Sequence, residues 1–247
     1  AIGGSSAGLV EVGIDALGHG LGDAFDLLEI GEAVMLALSK AIPDRVAGPL
    51  DKKVKMNLFG NDPRRGGKRY LSLNFVTSHG GNSATHGQDG WGGLGTARGT
   101  MAFTTTEMTE VQYPHLVVER QFATDSAGPG RWRGGMGVTS VMTPVGHEAM
   151  VQATVWGGRN PSAGWCGGDR GRPNRIEIHE GPAAGAAPLT VLGGDSLDEA
   201  LPAGDRVRVV RGGGGGWGDA LERDPAAVRE DVIDEYVSVE GARRDYG

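Results

Sequence analysis

The spacing of apolar residues divides the chain into stretches of different period. In "IGEAVMLALSKAIPDRV", residues 30–46, apolar side chains fall at 30, 34, 35, 38, 41 and 42. Gaps of three and four residues place them on one helical face. Pro43 ends that helix, because its ring removes the amide proton and crowds the preceding turn. "LLEIG" just before adds a turn. "VEVGIDALGHGLG", residues 10–22, has helix-like spacing interrupted by Gly13, Gly18, Gly20 and Gly22.

Beyond this the period shortens. "GPLDKKVKMNLFGNDPRRGGKR", residues 48–69, reads as a short strand closed by a turn at "GNDP". "YLSLNFVTS", "MAFTTT", "LVVERQFATD", "VTSVMTPV", "AMVQATVW", "RIEIHE", "LTVL" and "DRVRVVR" follow, alternating or β-branched and each bounded by Gly, Pro or Asp. They recur about every 10–15 residues, the rhythm of an antiparallel sandwich or barrel-like body. At the end, "RDPAAVREDVIDEYVS" offers Asp224 as N-cap, Pro225 at the first helical position and helical spacing through Val228 and Val232. The expected fold class is α+β: a β-rich antiparallel central body with N-terminal helices and a short C-terminal helix. The expected division is a helical segment at 1–47, the β-rich body at 48–220, and a helix and tail at 221–247.

Composition narrows the function. Gly accounts for 45 of 247 residues, more than twice the about 7% of average usage. That excess belongs in turns, bulges and places where backbone meets backbone. The net charge of −7, with both signs interspersed, argues against nucleic acid, whose binders carry a basic face. A lone Cys166 excludes an internal disulfide and a cysteine-based zinc cluster, and fits a cytoplasmic, reducing setting. No apolar run approaches the roughly 18 residues of a membrane span. The opening "AIGGSSAGLVEVGIDALGHG" has no initiator Met and no signal-peptide pattern, so it reads as internal to a longer chain.

Two glycine motifs suggest nucleotides and lack the rest of the requirement. "GWGGLG", residues 90–95, matches G-x-G-x-x-G, but a strand-prone "TARGTMAFTTT" follows where a helix is required. "RGGGGGWGD", residues 211–219, has Trp217, Gly218 and Asp219 where a phosphate loop needs Lys and Ser or Thr. Close backbone packing explains the run better, and no ATP site is visible. "HGGNSATHGQDG" gathers His79, His86 and Asp89 on a Gly-rich loop, where metal ligation or proton transfer competes with plain loop hydrogen bonding. Glu107 and Glu110 share one side if helical and oppose each other if extended. Asp125, close in sequence to Arg131 and Arg133, suits an Asp–Arg bridge that clamps the turn around Pro129.

Taken together, "DSAGPGRWRGGMGV", "EMTEVQYPHLVVER", "GKRYLSLNFVTSHGGNSATHGQDGWGG" and the closing "GGGGGWGDALERDPAAVREDVIDEYVSVEGARRDYG" resemble the hydantoinase B/oxoprolinase family, in order from about residue 66 to 247. The chain departs from the family pattern at Phe103 and Thr105, where Asn and Pro are usual, and at Ala127 and Pro129 in the Asp-Ser motif. The resemblance implies the C-terminal portion of a B-type subunit of an ATP-dependent cyclic-amide hydrolase of the hydantoinase/5-oxoprolinase type. It implies a hydantoinase A-like subunit that carries ATP and Mg, the upstream half of the B-type subunit, and a divalent metal held outside this chain. The family also contains acetone and acetophenone carboxylases, so a ketone carboxylase subunit is the alternative reading, and a non-catalytic scaffold subunit a third. Asp89, Glu107, Glu110 and Asp125 are the candidate catalytic residues; no metal ligand or cofactor-binding residue is assigned in the chain.

Overall fold

A computed structural model describes residues 26–46, 48, 52, 54–73, 79–92, 105–182, 187–194 and 196–247. The spacing-derived helix at 10–22 and most of "MAFTTT" lie outside them. Among the described residues the elements are α1 (Asp26–Leu38), β1 (Val54–Asp62), β2 (Lys68–Leu73), α2 (Thr106–Gln112), β3 (His115–Ala123), β4 (Gly137–Pro144), β5 (Ala149–Val155), β6 (Arg175–His179), β7 (Thr190–Leu192), β8 (Ser196–Leu201), β9 (Arg206–Val210), α3 (Pro225–Ile233) and α4 (Val239–Asp245).

The strands form two antiparallel sheets, ordered β2-β1-β5-β8 and β3-β4-β9-β6-β7. Alternation aims one face of each inward. In β5, Ala149, Val151, Ala153 and Val155 are buried, while Met150, Gln152 and Thr154 are less so. Val54, Met56 and Leu58 of β1 and Leu201 of β8 meet Met142, Ile176, Ile178, Val207 and Val209 from the other sheet in one core. This is the expected α+β architecture with an antiparallel body. The expected strands at "LVVERQFATD", "VTSVMTPV", "AMVQATVW", "RIEIHE", "LTVL" and "DRVRVVR" are present.

Three local readings change. Thr105 and Thr106, expected at the end of a strand, start α2, and the Thr105 side chain accepts from the Met108 amide. "SLDEAL" is strand β8 although its residues carry no strand signal, because pairing with β5 holds it extended. Ser238 caps a further helix, α4. The apolar spacing of α1 is helical as expected, but Ile30, Val34 and Leu38 are exposed rather than packed in the core.

The glycine run is threaded through the centre of a bundle of backbones. An added Cβ at Gly212 or Gly215 would meet backbone of Arg172 or Ala163; at Gly213 or Gly216, backbone of Ser126 or Pro129; at Gly214, Asn82. Residues three apart therefore face the same neighbouring segment, which is the period of polyproline II. The peptide groups are shared out accordingly. The Gly81, Gly128, Ala84 and Trp165 amides donate to the Gly212, Gly214, Gly215 and Gly216 carbonyls, and Gly212 and Gly215 donate to the Asn174 and Ser83 side chains. Every approach is closer than 3.0 Å to a would-be Cβ, so only glycine fits. The run is structural packing of the kind its sequence suggested.

Candidate functional site

The loop between β3 and β4, with the 79–92 segment, α3 and α4, gathers a set of paired charges, Arg133–Asp231, Arg223–Asp89 and Arg223–Asp231 among them. Arg223 stands just before the Asp224 N-cap of α3, and Asp231 lies two turns further on. The Arg223 guanidinium donates to both Asp89 oxygens, 2.7 Å each, and to Asp231 Oδ2 at 2.8 Å. Arg133 Nε donates to Asp231 Oδ1 at 3.1 Å, and its amide to Asp89 Oδ1 at 2.7 Å. The Arg133 guanidinium also lies 5.1 Å from the centre of the Tyr236 ring. Two carboxylates and two guanidiniums thus close an alternating network in which Arg133, Arg223 and Asp231 are buried.

Electrostatics keep Asp89 ionised. Burial alone would raise its carboxyl, but hydrogen bonds and charge from Arg223, with Arg133 behind, hold it below the usual carboxylate range. Three donors occupy its two oxygens, leaving little of the roughly four lone-pair positions for a substrate. Beside the network, burial pushes the Tyr246 hydroxyl up to about 12.

The other candidates lie apart. Asp125, at φ 57, accepts from the Ser238 amide and from Ser238 Oγ, 2.7 Å each. Its nearest guanidinium is Arg172 at 3.9 Å, whereas Arg131 pairs with Glu222 and Arg133 with Asp231. The expected Asp125 bridge to Arg131 or Arg133 is therefore replaced by a clamp on the start of α4. The reason is chain direction: the left-handed turn at Asp125 points the carboxylate at the C-terminal segment. Glu107 and Glu110 share α2; Glu107 is exposed, while Glu110 Oε1 accepts from the Val117 amide at 2.9 Å.

The His79, His86 and Asp89 trio does not act as one group. His86 packs edge-on against Trp132 and Trp217, ring centres 4.8 and 4.9 Å away, while Asp89 is committed to arginines. Among the described residues no three His, Cys, Asp or Glu side chains come together to hold a metal ion.

Sequence reasoning missed Arg223 and Asp231, because nothing in "ERDPAAVRED" marks its charges as buried. It also missed a histidine cluster at the far end of the sheets. His115 is buried, Nε2 lies 3.2 Å from Ser72 Oγ, and the ring stacks on Tyr113. Tyr70 reaches His147 Nε2 at 2.7 Å. Burial, with the charges of His147 and Arg64, holds the His115 ring down to about 4. Only the fold places these residues beside one another.

The profile of the Hydantoinase B/oxoprolinase family matches residues 25–220. The chain is 32% identical over 222 residues to the caprolactamase beta subunit of Pseudomonas jessenii, covering 88% of this chain and 38% of that protein. It is 25% identical over 224 residues to the B-type subunit of a putative D-/L-hydantoinase from Pseudomonas sp. (strain NS671), covering 88% and 35%. The crystal structure of ATP-dependent caprolactamase from Pseudomonas jessenii superposes with a TM-score of 0.72 at 29% identity, over 86% of this chain and 37% of that one. The chain thus spans less than two fifths of the length of these relatives. The agreement of profile, sequence and fold assigns it to the hydantoinase B/oxoprolinase family.

Proposed function

We propose that the chain is part of the B-type subunit of an ATP-dependent cyclic-amide hydrolase, working with a hydantoinase A-like subunit that holds ATP and Mg. The observation that carries this reading is the similarity to the caprolactamase beta subunit over 88% of the chain. The glycine run agrees with it, because its peptide groups are spent on neighbouring backbone and on the Asn174 and Ser83 side chains, leaving no cradle of free amides. ATP on the partner would transfer its γ-phosphoryl group to the amide oxygen and leave as ADP. Water would add to the activated carbon, and the C–N bond would break with the ring nitrogen taking up a proton. A second water would release phosphate from the resulting acyl phosphate.

Within that reading the four carboxylates divide by what they touch. Asp89 and Asp125 position the loop between β3 and β4 against the C-terminal helices, and Glu110 fixes the start of β3. Glu107 is the one whose side chain stands exposed and uncommitted, so it is the candidate for contact with substrate or the A-type partner. The soluble, cytoplasmic setting belongs to the same proposal; no described helix is long and apolar enough to cross a membrane.

The test is an assay of the complete complex, co-expressed with its A-type partner, for ATP turnover with caprolactam, hydantoin, 5-oxoproline and acetone. Ring opening that requires ATP and ignores bicarbonate is the expected result. Turnover that requires bicarbonate would move the protein to the ketone carboxylase branch and overturn the proposal.

A further inference from the structure

The outer face of the four-stranded sheet carries a groove of about 360 Å³. Val54, Met56 and Leu58 of β1 and Val151, Ala153 and Val155 of β5 face the core, so the residues between them face outward. Strand register sets these in two rows across three strands. Lys55 on β1, Thr154 on β5 and Ser196 on β8 form one row; Asn57, Gln152 and Asp198 form the other. All six line the groove.

Asn57 stands on the outer side of the sheet and is nevertheless only 6% exposed. Its Nδ2 donates to Gln152 Oε1 at 3.3 Å, while its Oδ1 is buried and accepts no hydrogen bond. A buried acceptor left without a donor is costly and calls for one. Lys55 and Asp198, at opposite corners of the two rows, have no ion-pair partner among the described residues. The Thr154 and Ser196 hydroxyls, in the Lys55 row, lie 3.3 Å apart. One row therefore offers an ammonium and two hydroxyl donors, and the other a carboxylate and amide oxygens.

We infer that this groove binds an unbranched ω-amino acid of five or six carbons, its carboxylate over the Lys55 row and its ammonium over the Asp198 row. The ligand carboxylate accepts from the Lys55 ammonium and from the Thr154 and Ser196 hydroxyls. The ligand ammonium, which has donors only, turns them to Asp198 and to the unpartnered Asn57 Oδ1. Length sets the ligand class. The rows are two residues apart along each strand, roughly 7 Å at about 3.4 Å per residue. An extended chain advances about 1.2 Å per bond, a third of the reach of a three-bond residue. The five or six bonds from nitrogen to carboxyl carbon in 5-aminopentanoate or 6-aminohexanoate thus cover roughly 6–7 Å. Glycine, with two such bonds, is too short to reach both rows.

Opening a lactam ring would yield such an acid, but the inference does not rest on that reading: binding is measured without partner or turnover, and either can fail alone. The experiment is calorimetric titration of the full chain with 6-aminohexanoate, 5-aminopentanoate, glycine, hexanoate and pentylamine at constant ionic strength. Saturable binding of the two ω-amino acids is expected, with glycine and the singly charged hexanoate and pentylamine at least roughly 10-fold weaker. Lys55→Met and Asp198→Asn should each weaken 6-aminohexanoate binding roughly 10-fold, the low end for one charged hydrogen bond at a groove open to solvent. Arg229→Gln, an exposed arginine outside the groove, should leave it unchanged. Circular dichroism melting verifies the fold of each variant, and either groove variant alone decides. Absence of saturable binding, glycine, hexanoate or pentylamine binding as tightly, or unaltered affinity in a folded Lys55→Met or Asp198→Asn overturns the inference.

Discussion

Replacing Arg223 with Met removes the centre of the buried network while keeping most of the side chain's volume. Arg223 makes two 2.7 Å bonds to Asp89, one of 2.8 Å to Asp231 and one of 3.2 Å to the Arg131 carbonyl. Breaking a buried pair by removing one partner costs about 3–5 kcal/mol. Two features place this case at the lower end. Asp231 retains Arg133, and the Asp89 side chain, 35% exposed, can recover water, so its share is screened. The expected loss is therefore about 3 kcal/mol, or a fall in Tm of roughly 6–12 °C for a chain of this size. Urea and thermal unfolding followed by circular dichroism would measure it. In a double-mutant cycle with Asp89→Asn, the double variant should lose less than the sum of the singles by about 1–2 kcal/mol. The loss should also be largest near neutral pH. Asp89 has its pKa lowered in the fold, so its contribution is present above the ordinary carboxylate value and vanishes as pH falls through the lowered one. An Arg223→Met protein within about 0.5 kcal/mol of wild type, or strictly additive singles, would refute the argument.

Gly214→Ala should destabilise by more than the about 1–3 kcal/mol of ordinary overpacking, since the new Cβ meets Asn82 backbone and not a movable side chain; Gly193→Ala, where nothing lies within 4 Å, is the control, and equal unfolding midpoints for the two would sink the packing account. His115 is held neutral by burial at a pKa of about 4, against an ordinary 6.5. Its contribution to stability is full above about 6.5 and lost as pH falls toward about 4, up to about 3 kcal/mol. His115→Phe should flatten the stability profile across that window, and an unchanged slope in urea titrations at stepped pH would show that another group carries it.

The strands and the C-terminal helix were legible because their signals are local. β5 alternates residue by residue, and Asp224-Pro225 is a helix start whatever surrounds it. β8 was not legible, since "SLDEAL" has no preference of its own that outweighs the ladder with β5. The candidate carboxylates were visible as residue types but not as contacts. Asp125 stands next to two arginines in sequence and is bound to Ser238, 113 residues away.

By itself, then, the sequence determined the antiparallel β-rich body, the position of most strands, the family signatures and the inability of the glycine run to act as a phosphate loop. These depend on period, on turn chemistry and on residues that are present or missing. Only the tertiary structure decided that five consecutive glycines lie at the centre of a backbone bundle and that Arg133 and Arg223 share Asp89 and Asp231. Such arrangements join segments dozens to more than a hundred residues apart. Which distant charge or carbonyl arrives beside a given side chain is set by how two sheets and their loops close on a common core, and no local pattern encodes it.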